Sequence, residues 1–375
     1  MTVRATGIFS GMVFWLFASA SFAASPVPYD RFTKSVAEHL IVPGYEQFAA
    51  AATRLASELS QACAGALDTD AVRSRHAALL DAWHTVRFVD FGPIETSTGP
   101  ARVQFWPDSR GVGRRQLRRV LKALDETVTD PRALKGKSVA LGDLQALEYL
   151  LFGPDGRVLL NNSSAAQSSV NEPGASGAFR CAYARAVARR QQHLAETLLA
   201  TWQGPDGHRA MMSNPSDANP HYLEITEPAE SIYGGLLTTL EDLAVVRIGR
   251  PLGKPDGPPK PKRAESWRSR RSLANIVATL RSAQAVLDTE GGLADLFTGA
   301  GDAALASAIK AELAAALRLA EAVPAPLFDT LAQAPIRDQL RSLQAHITRV
   351  HKLLAGPGTE LTKLRPGFNS SDGDG

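Results

Sequence analysis

The sequence predicts an all-α protein composed of two tandem four-helix-bundle-like domains. Apolar residues recur at helical spacing in almost every long segment; in 45–64, for example, Phe48, Leu55 and Leu59 fall on one helical face. No stretch shows the sustained period-2 alternation that is typical of a half-buried strand. The chain has 375 residues, of which 44% are hydrophobic, and this length favours two domains with substantial cores.

The first residues, 1–23, predict an export signal. Arg4 supplies a positive charge, residues 8–22 are mostly apolar, and small residues at 21 and 23 suit a cleavage site before Ala24. No later segment approaches the ~20 uninterrupted apolar residues of a membrane-spanning helix. We therefore expect a protein that is exported to the periplasm, belongs to the cell envelope and does not span a membrane.

Five helical segments after this leader form the predicted N-terminal bundle, 24–204. Each has its apolar residues on one face; in the fourth, Leu144, Leu147 and Leu151 form a single stripe, and Gly153 and Pro154 end the helix. The predicted helices are 45–64, 71–88, 116–128, 141–152 and 178–203.

Helical spacing lapses after the first bundle and then returns. Residues 205–228 are rich in Gly, Pro, Asn, Asp and Ser, which predicts a connecting segment. The predicted C-terminal bundle, 229–375, contains helices at 229–248, 265–288, 302–322 and 327–354. Between its first two helices, residues 253–262 include four prolines and three lysines, which predicts a stiff, solvated loop whose charge serves solubility.

Charge, cysteine content and motifs restrict the function classes. The 41 basic and 38 acidic side chains give a net charge of +3, so we expect no nucleic-acid partner. Cys63 and Cys181 are predicted to form a structural disulfide, because the periplasm is oxidising and no closely spaced redox pair exists. The sequence contains no HExxH, GxSxG or P-loop motif, and its eight histidines are scattered, so no standard catalytic site is indicated.

Five further segments carry a family signal. They are Phe-Trp-Pro-Asp at 105–108, Gly-Asp-Leu-Gln-Ala-Leu-Glu-Tyr-Leu-Leu-Phe-Gly at 142–153, Arg-Pro-Leu-Gly at 250–253, Ala-Glu-Ser-Trp-Arg-Ser at 264–269 and Gly-Phe-Asn-Ser-Ser-Asp-Gly-Asp-Gly at 367–375. In this order and at these separations they resemble the imelysin family of bacterial cell-envelope proteins. The resemblance implies a tail that packs back through Phe368. It also implies a binding component associated with iron or metal uptake, with other iron-uptake or envelope proteins as partners.

The imelysin resemblance also implies a site, a Gly-x-His-x-x-Glu motif that is read as a metal-binding pair on one helix. The aligned residues here are Asp143, Gln145 and Glu148, so only the glutamate is retained. Residues three apart share a helical face, but a glutamine amide is a weak ligand for transition metals and cannot transfer a proton. A divalent metal or iron is therefore expected only as a weakened cofactor.

Other residues of the resembling segments are candidates to complete a ligand site with Gln145 and Glu148. These candidates are Asp143, Arg87, Glu95, Asp108, Arg110, Glu265, Trp267 and Arg268. Structural roles stay open, because Asp108 also suits a helix N-cap and Glu148 also suits a buried ion pair with Arg87 or Arg110. In both cases we expect Glu148 in a partly buried polar pocket between the bundles, since an unpaired buried carboxylate is unstable.

Three function classes follow. The first is a component of iron or metal uptake that binds a small ligand or a metal ion, and the second is a metallopeptidase of the imelysin type. The third is a binding or scaffold module for an anionic ligand, based on the basic helix face at 110–119, although such faces are also common as solvated surfaces. We expect binding and not catalysis, because Gln145 replaces the motif histidine.

Overall fold

The fold is all-α, as the sequence predicts. The computed structural model describes residues 27–95, 99–160, 177–365 and 367, so the predicted leader and the tail from Phe368 onward lie outside the described residues. Within these ranges no β-strand forms, and the backbone makes only an isolated bridge between Phe152 and Val158. No helix in the same ranges combines the length and the apolarity that crossing a membrane requires.

The first half of the chain folds around the long helices α2 and α7. Its helices are α1 (Tyr29–Val36), α2 (Val42–Cys63), α3 (Thr69–Thr85), α4 (Val112–Ala123), α5 (Pro131–Lys135), α6 (Leu144–Leu151), α7 (Gly177–Gln203) and α8 (His208–Ser213). A π-helical segment, Ala37–Ile41, continues α1 into α2. Helix α2 packs against α3 and α7, and α7 also packs against α6. The fully buried Tyr45, Trp83 and Trp202 belong to this core.

The second half forms another bundle. Its helices are α9 (Thr226–Glu241), α10 (Arg250–Leu252), α11 (Ser272–Asp288), α12 (Leu293–Gly299), α13 (Ala303–Ala322), α14 (Leu327–Thr330), α15 (Ala334–Leu353) and α16 (Thr359–Thr362). The π-helical segments Asp242–Gly249 and Leu354–Gly358 extend α9 and α15. Helix α13 packs against α11 and α15, and α15 packs against α9. Fully buried Tyr233 and Phe297 lie in this core.

Helix boundaries differ from the predicted ones where side chains cap the backbone. The helix predicted at 116–128 is α4, which begins four residues earlier. Asp108 Oδ2 accepts a hydrogen bond from the Arg114 N–H at 3.0 Å and stabilises this first turn. Helix α4 also ends earlier than predicted, because Leu124 adopts a left-handed φ of 50°. Asp108 therefore supports the first turn of α4 from outside the helix, whereas the N-cap position that the sequence suggested for it belongs to Gly111.

The two halves are joined by helix packing in addition to the chain connection. Helix α3 packs against α11. Helix α1, which the predicted boundary at 204 assigns to the first domain, packs against α9 and α12 of the second half. The domain boundaries themselves stay a prediction.

The predicted disulfide is confirmed. Cys63, at the end of α2, is bonded to Cys181 in α7, with a Cα–Cα distance of 5.7 Å and a sequence separation of 118. Closing a loop of this length restricts the unfolded chain and stabilises the fold by about 5 kcal/mol in the chain-entropy model. The bond fixes α7 against α2, and α7 in turn supports α6.

Candidate functional site

Helix α6 carries Glu148, and Asp143 fixes where this helix begins. The Asp143 side chain is the N-cap: its Oδ1 accepts from the Ala146 N–H at 2.8 Å, and its Oδ2 accepts from the Phe105 N–H at 2.6 Å. The side chain is completely buried, and burial raises its pKa to about 6. Asp143 thus ties α6 to the segment that contains the Phe-Trp-Pro-Asp sequence. Both of its carboxylate oxygens are occupied by backbone donors.

Glu148 lies one turn further along α6 and contacts the second half of the chain. Its side chain is 3% exposed, and its Oε1 accepts hydrogen bonds from both the N–H and the hydroxyl of Ser269, each at 2.8 Å. Burial raises the pKa of Glu148, while the two Ser269 hydrogen bonds and the nearby Arg268 oppose that rise. The carboxylate is therefore held by partners that the other half of the chain supplies.

The segment 265–271 delivers Ser269 to this position because it is not helical. The sequence predicts a helix from residue 265, but that prediction is wrong over its first seven residues, and α11 begins at Ser272. Ser266 and Arg270 have left-handed φ values of 48° and 62°, and the Arg271 N–H donates to the Ser266 carbonyl at 3.0 Å. This turn directs the Ser269 N–H towards Glu148 and away from a helical hydrogen bond.

A cleft of about 510 Å³ lies between the two halves, and Glu148 forms part of its wall. We call it the inter-bundle cleft. Its acidic residues are Asp108, Asp143 and Glu148; its cationic residues are Arg110, Arg114, Arg250, Lys262, Arg263 and Arg268; its aromatic residues are Phe105, Trp106, Tyr149 and Trp267. Cationic side chains are thus twice as numerous as acidic ones. The Arg250 Nη1 donates to the Ser109 hydroxyl at 2.7 Å and connects the two sides.

One wall of the inter-bundle cleft is a stack of a cation and aromatic rings. The Arg268 guanidinium lies 4.5 Å from the ring centroid of Tyr149 and 4.6 Å from that of Trp267. Trp267 stacks on Phe328 with ring centroids 5.2 Å apart. Arg268 is only 7% exposed, so these contacts fix its guanidinium in place.

A second group of ionisable side chains lies near the cleft, and all of them are buried except Asp242, which is partly exposed. We call it the buried charge cluster, and its members are His84, Asp242, Arg247 and Glu265. Arg247 forms ion pairs with Glu265 and with Asp242, the latter at 2.8 Å. Burial opposes ionisation of Glu265, but the Arg247 guanidinium lowers its pKa below the usual range. The Arg247 guanidinium also lies 5.2 Å from the ring centroid of Trp106, which links the cluster to the cleft.

His84 is a neutral member of the buried charge cluster. Burial lowers its pKa to about 3. His84 Nδ1 and the Thr279 hydroxyl are 3.1 Å apart and form a hydrogen bond. His84 Nε2 lies 3.5 Å from Glu265 Oε2, but the imidazole carries no charge. Arg247, and not His84, therefore neutralises the charge of Glu265.

The structure separates the predicted site residues into three groups. Seven line the inter-bundle cleft: Asp108, Arg110, Asp143, Gln145, Glu148, Trp267 and Arg268. Glu265 belongs to the buried charge cluster, and Arg87 interacts electrostatically with that cluster and not with Glu148. Glu95 is exposed and interacts with Asp90 and Tyr222, away from the cleft lining.

Sequence reasoning did not find Ser269 as the partner of Glu148 or Arg247 as the partner of Glu265. Both contacts join residues that only the fold brings together. The sequence pattern of 253–262 also predicts lysines that serve solubility, yet Lys262 lines the cleft. A usable signal was present in 250–263, where five cationic residues occur with a single acidic residue, Asp256.

The residues of the inter-bundle cleft do not fit a resident metal ion. In the described ranges no group of three or more His, Cys, Asp or Glu side chains is placed to hold one. Asp143 uses both carboxylate oxygens for backbone hydrogen bonds, and Glu148 Oε1 already accepts two. Gln145 is neutral, and the surrounding cations repel a metal ion.

Comparisons with known proteins give similar solved structures and one family model. The chain resembles the crystal structure of an imelysin-like protein from Psychrobacter arcticum 273-4, with a TM-score of 0.72, 18% identity and coverage of 92% of this chain and 98% of that one. It also resembles the structure of a putative iron-regulated protein A precursor from Parabacteroides distasonis ATCC 8503, with a TM-score of 0.70, 15% identity and coverage of 89% and 97%. No curated protein matches the chain. The family model described as Imelysin matches residues 41–354, and the chain therefore belongs to the imelysin family.

Proposed function

We propose that this chain is an exported binding protein of the cell envelope, located in the periplasm, whose inter-bundle cleft takes a small anionic ligand. The observation that carries the proposal is the composition of the cleft lining, in which six cationic side chains outnumber three carboxylates. Two of those carboxylates, Asp143 and Glu148, are buried and already hydrogen-bonded. The charge that a ligand meets in the cleft is therefore positive.

The shape of the cleft suits a ligand that contacts both halves of the chain. Arg110 and Arg114 come from the first half, and Lys262, Arg263 and Arg268 come from the second. Guanidinium groups bind carboxylate and phosphate oxygens in a bidentate manner, and the ring of Trp106 adds an apolar surface for the body of the ligand. A ligand bound between these groups would hold the two halves together.

We further propose that the ligand is an anionic chelate of iron, and that the protein acts in iron uptake with other envelope proteins. Its P. distasonis relative is named as an iron-regulated protein A precursor, which supports a connection with iron. A bare metal ion fits the positive cleft poorly, whereas a ferric ion complexed by several carboxylates carries a net negative charge. Iron would then be cargo, and no resident metal is needed.

Catalysis by a metallopeptidase mechanism is not supported by this geometry. Such a site needs about three protein ligands for the metal and a general base that faces the substrate. Gln145 offers neither function, and His84, the histidine of the buried charge cluster, is completely buried. We therefore propose a binding role without a hydrolytic step.

Calorimetric titration of the mature protein with ferric citrate, citrate, phosphate and zinc chloride tests this proposal. We expect ferric citrate to bind, and the Arg110→Gln/Arg114→Gln variant to bind it at least tenfold more weakly. The matched control is Arg281→Gln/Arg349→Gln, which removes two exposed arginines from the C-terminal bundle and should bind normally. No binding of any of the three anions would overturn the proposal. Zinc binding without an anion, lost in Glu148→Ala, would assign a metal site in its place.

A further inference from the structure

The polar face of α4 is a dense patch of cations that the inter-bundle cleft does not use. Arg115, Arg118, Arg119 and Lys122 are exposed, and none of them lines the cleft. The opposite face of α4 is buried through Leu117, Val120 and Leu121. No acidic residue occurs within α4. We call the four exposed cations together with Leu124 the α4 basic face.

Most cations of α4 repel one another and so destabilise the helix slightly. Arg114 and Arg118, Arg115 and Arg119, and Arg118 and Lys122 are like-charged pairs four residues apart, and each such pair destabilises a helix slightly. Arg114 and Arg115 also lie in the first turn, where the helix dipole disfavours cations. Only Lys122, in the last turn, interacts favourably with the helix dipole, and Arg115 Nη1 donates to the Arg110 carbonyl, so the stability of α4 does not account for the number of cations on it.

Exposed cations elsewhere in the protein form ion pairs with carboxylates. Arg281, Lys310 and Arg349, on helices of the C-terminal bundle, are each paired with a carboxylate within 3 Å, namely Glu321, Asp288 and Glu312. Among the described residues, none of the four cations of the α4 basic face takes part in an ion pair with a carboxylate. Lys262 and Arg263, also exposed, extend the positive region across the mouth of the cleft.

We propose that the α4 basic face is a docking surface for an anionic lipid bilayer, on which the protein binds peripherally with its cleft mouth close to the headgroups. A bilayer presents many diffuse negative charges, and each nearby Lys or Arg contributes about 1 kcal/mol to binding such a surface. Leu124, which ends α4 and is 50% exposed, supplies an apolar side chain that can enter the headgroup layer.

An acidic protein partner fits this surface less well. The cores of protein interfaces are depleted in Lys and in charge and enriched in aromatic side chains. Among the described residues, the large exposed hydrophobic side chains are Leu124, Leu223, Ile225 and Val245, and only Leu124 belongs to the α4 basic face. A surface with four unpaired cations and one leucine is typical of headgroup binding.

Vesicle sedimentation tests the proposal on the full mature protein. The vesicles are phosphatidylcholine alone or an equimolar mixture with phosphatidylglycerol, at low and at high salt. We expect binding only to the anionic vesicles, and a strong decrease at high salt because the charges are screened. The variant Arg115→Gln/Arg118→Gln/Arg119→Gln should bind at least tenfold more weakly, and Leu124→Ser should bind more weakly at both salt concentrations.

The matched control removes three exposed cations of the C-terminal bundle, Arg281→Gln/Lys310→Gln/Arg349→Gln, and should bind vesicles as the wild type does. The α4 triple variant should unfold at the wild-type temperature or slightly above it, because it relieves like-charged repulsion and removes only one exposed hydrogen bond, from Arg115 to the Arg110 carbonyl. It should also keep its affinity for ferric citrate. Equal vesicle binding by the two triple variants would overturn the proposal. Equally strong binding of duplex DNA or of an acidic polypeptide would also overturn it, because the face would then be an unselective polyanion site.

Discussion

Ser269 donates two hydrogen bonds to one oxygen of Glu148, from its N–H and from its hydroxyl, across 121 residues of sequence. The two residues belong to different halves of the chain, and both are almost completely buried. A charged acceptor with two neutral donors makes stronger hydrogen bonds than a neutral pair does. This contact therefore holds one wall of the cleft to the other and fixes the position of α6 relative to the 265–271 turn.

Ser269→Ala should lower the free energy of unfolding by about 1.5–3 kcal/mol, because it removes one hydrogen bond to a buried charge. The measurement is urea denaturation at pH 7. A double-mutant cycle with Glu148→Gln isolates the contact, since the loss at Ser269 should be smaller once the charge is gone. Additive effects of the two substitutions would contradict a direct energetic coupling. Thr53→Ala, which removes an exposed hydroxyl bonded to Glu196, is a control that should change stability little.

Much of the fold could be predicted from the sequence, because helical periodicity and cysteine count are local or compositional signals. The long helices α2, α7 and α13 lie within a few residues of their predicted bounds. The failure at 265–271 has a physical cause. There the hydrogen bonds of Ser269 with Glu148, 121 residues earlier in the sequence, outweigh local helical preference, and no local pattern records such a partner.

The candidate site could be predicted only in part. The family resemblance pointed to Glu148, Trp267 and Arg268, and the fold brings them to one cleft. The positive charge of that cleft could not be seen, because it depends on Arg250 and Lys262 approaching the first half of the chain. Overall net charge is nearly balanced and gives no indication of such local asymmetry.

Asp143→Asn should remove a component of the pH dependence of stability. The pKa of Asp143 is raised to about 6 in the folded protein, from an ordinary value of 3.8, so the folded state holds this proton more tightly than the unfolded state. The contribution to stability is therefore present below pH 3.8 and is lost as pH rises to about 6. The loss is of the order of 3 kcal/mol.

The measurement is the difference in unfolding free energy between the wild type and Asp143→Asn, at several values between pH 4 and pH 7. We expect this difference to decrease as pH rises. Asparagine can still accept the Ala146 hydrogen bond as an N-cap, so the helix should be retained, although the Phe105 hydrogen bond is lost. A difference that grows with pH would show that the backbone donors hold the pKa of Asp143 below its usual value.

Glu265→Ala should destabilise the protein by about 3–5 kcal/mol, because it leaves Arg247 buried with only one carboxylate partner, Asp242. The double variant Arg247→Met/Glu265→Met should be much closer to the wild type, since apolar side chains of similar volume replace both charges. Thermal and urea unfolding of both variants provide the test. If the double variant were as unstable as Glu265→Ala, Arg247 and Glu265 would stabilise the fold by more than the neutralisation of each other's charge.

Gln145→His should produce measurable but weak binding of zinc. The substitution restores a His and Glu pair three residues apart on α6, yet six cationic side chains line the same cleft. These charges repel the metal ion, so added salt should screen the repulsion and strengthen binding.

A matched control separates the effect of the cleft from the effect of the His and Glu pair itself. Gln192 on α7 is half-exposed and donates to the exposed Glu196 at 2.9 Å, so Gln192→His creates a His and Glu pair four residues apart at the protein surface. There, zinc is attracted by the carboxylate, and salt should weaken binding. Calorimetric titration of both variants with zinc, at low and high salt, compares the two sites. Opposite salt dependences are expected. Weakening by salt in both variants would contradict the positive potential assigned to the inter-bundle cleft, and with it the anionic ligand proposed to bind there.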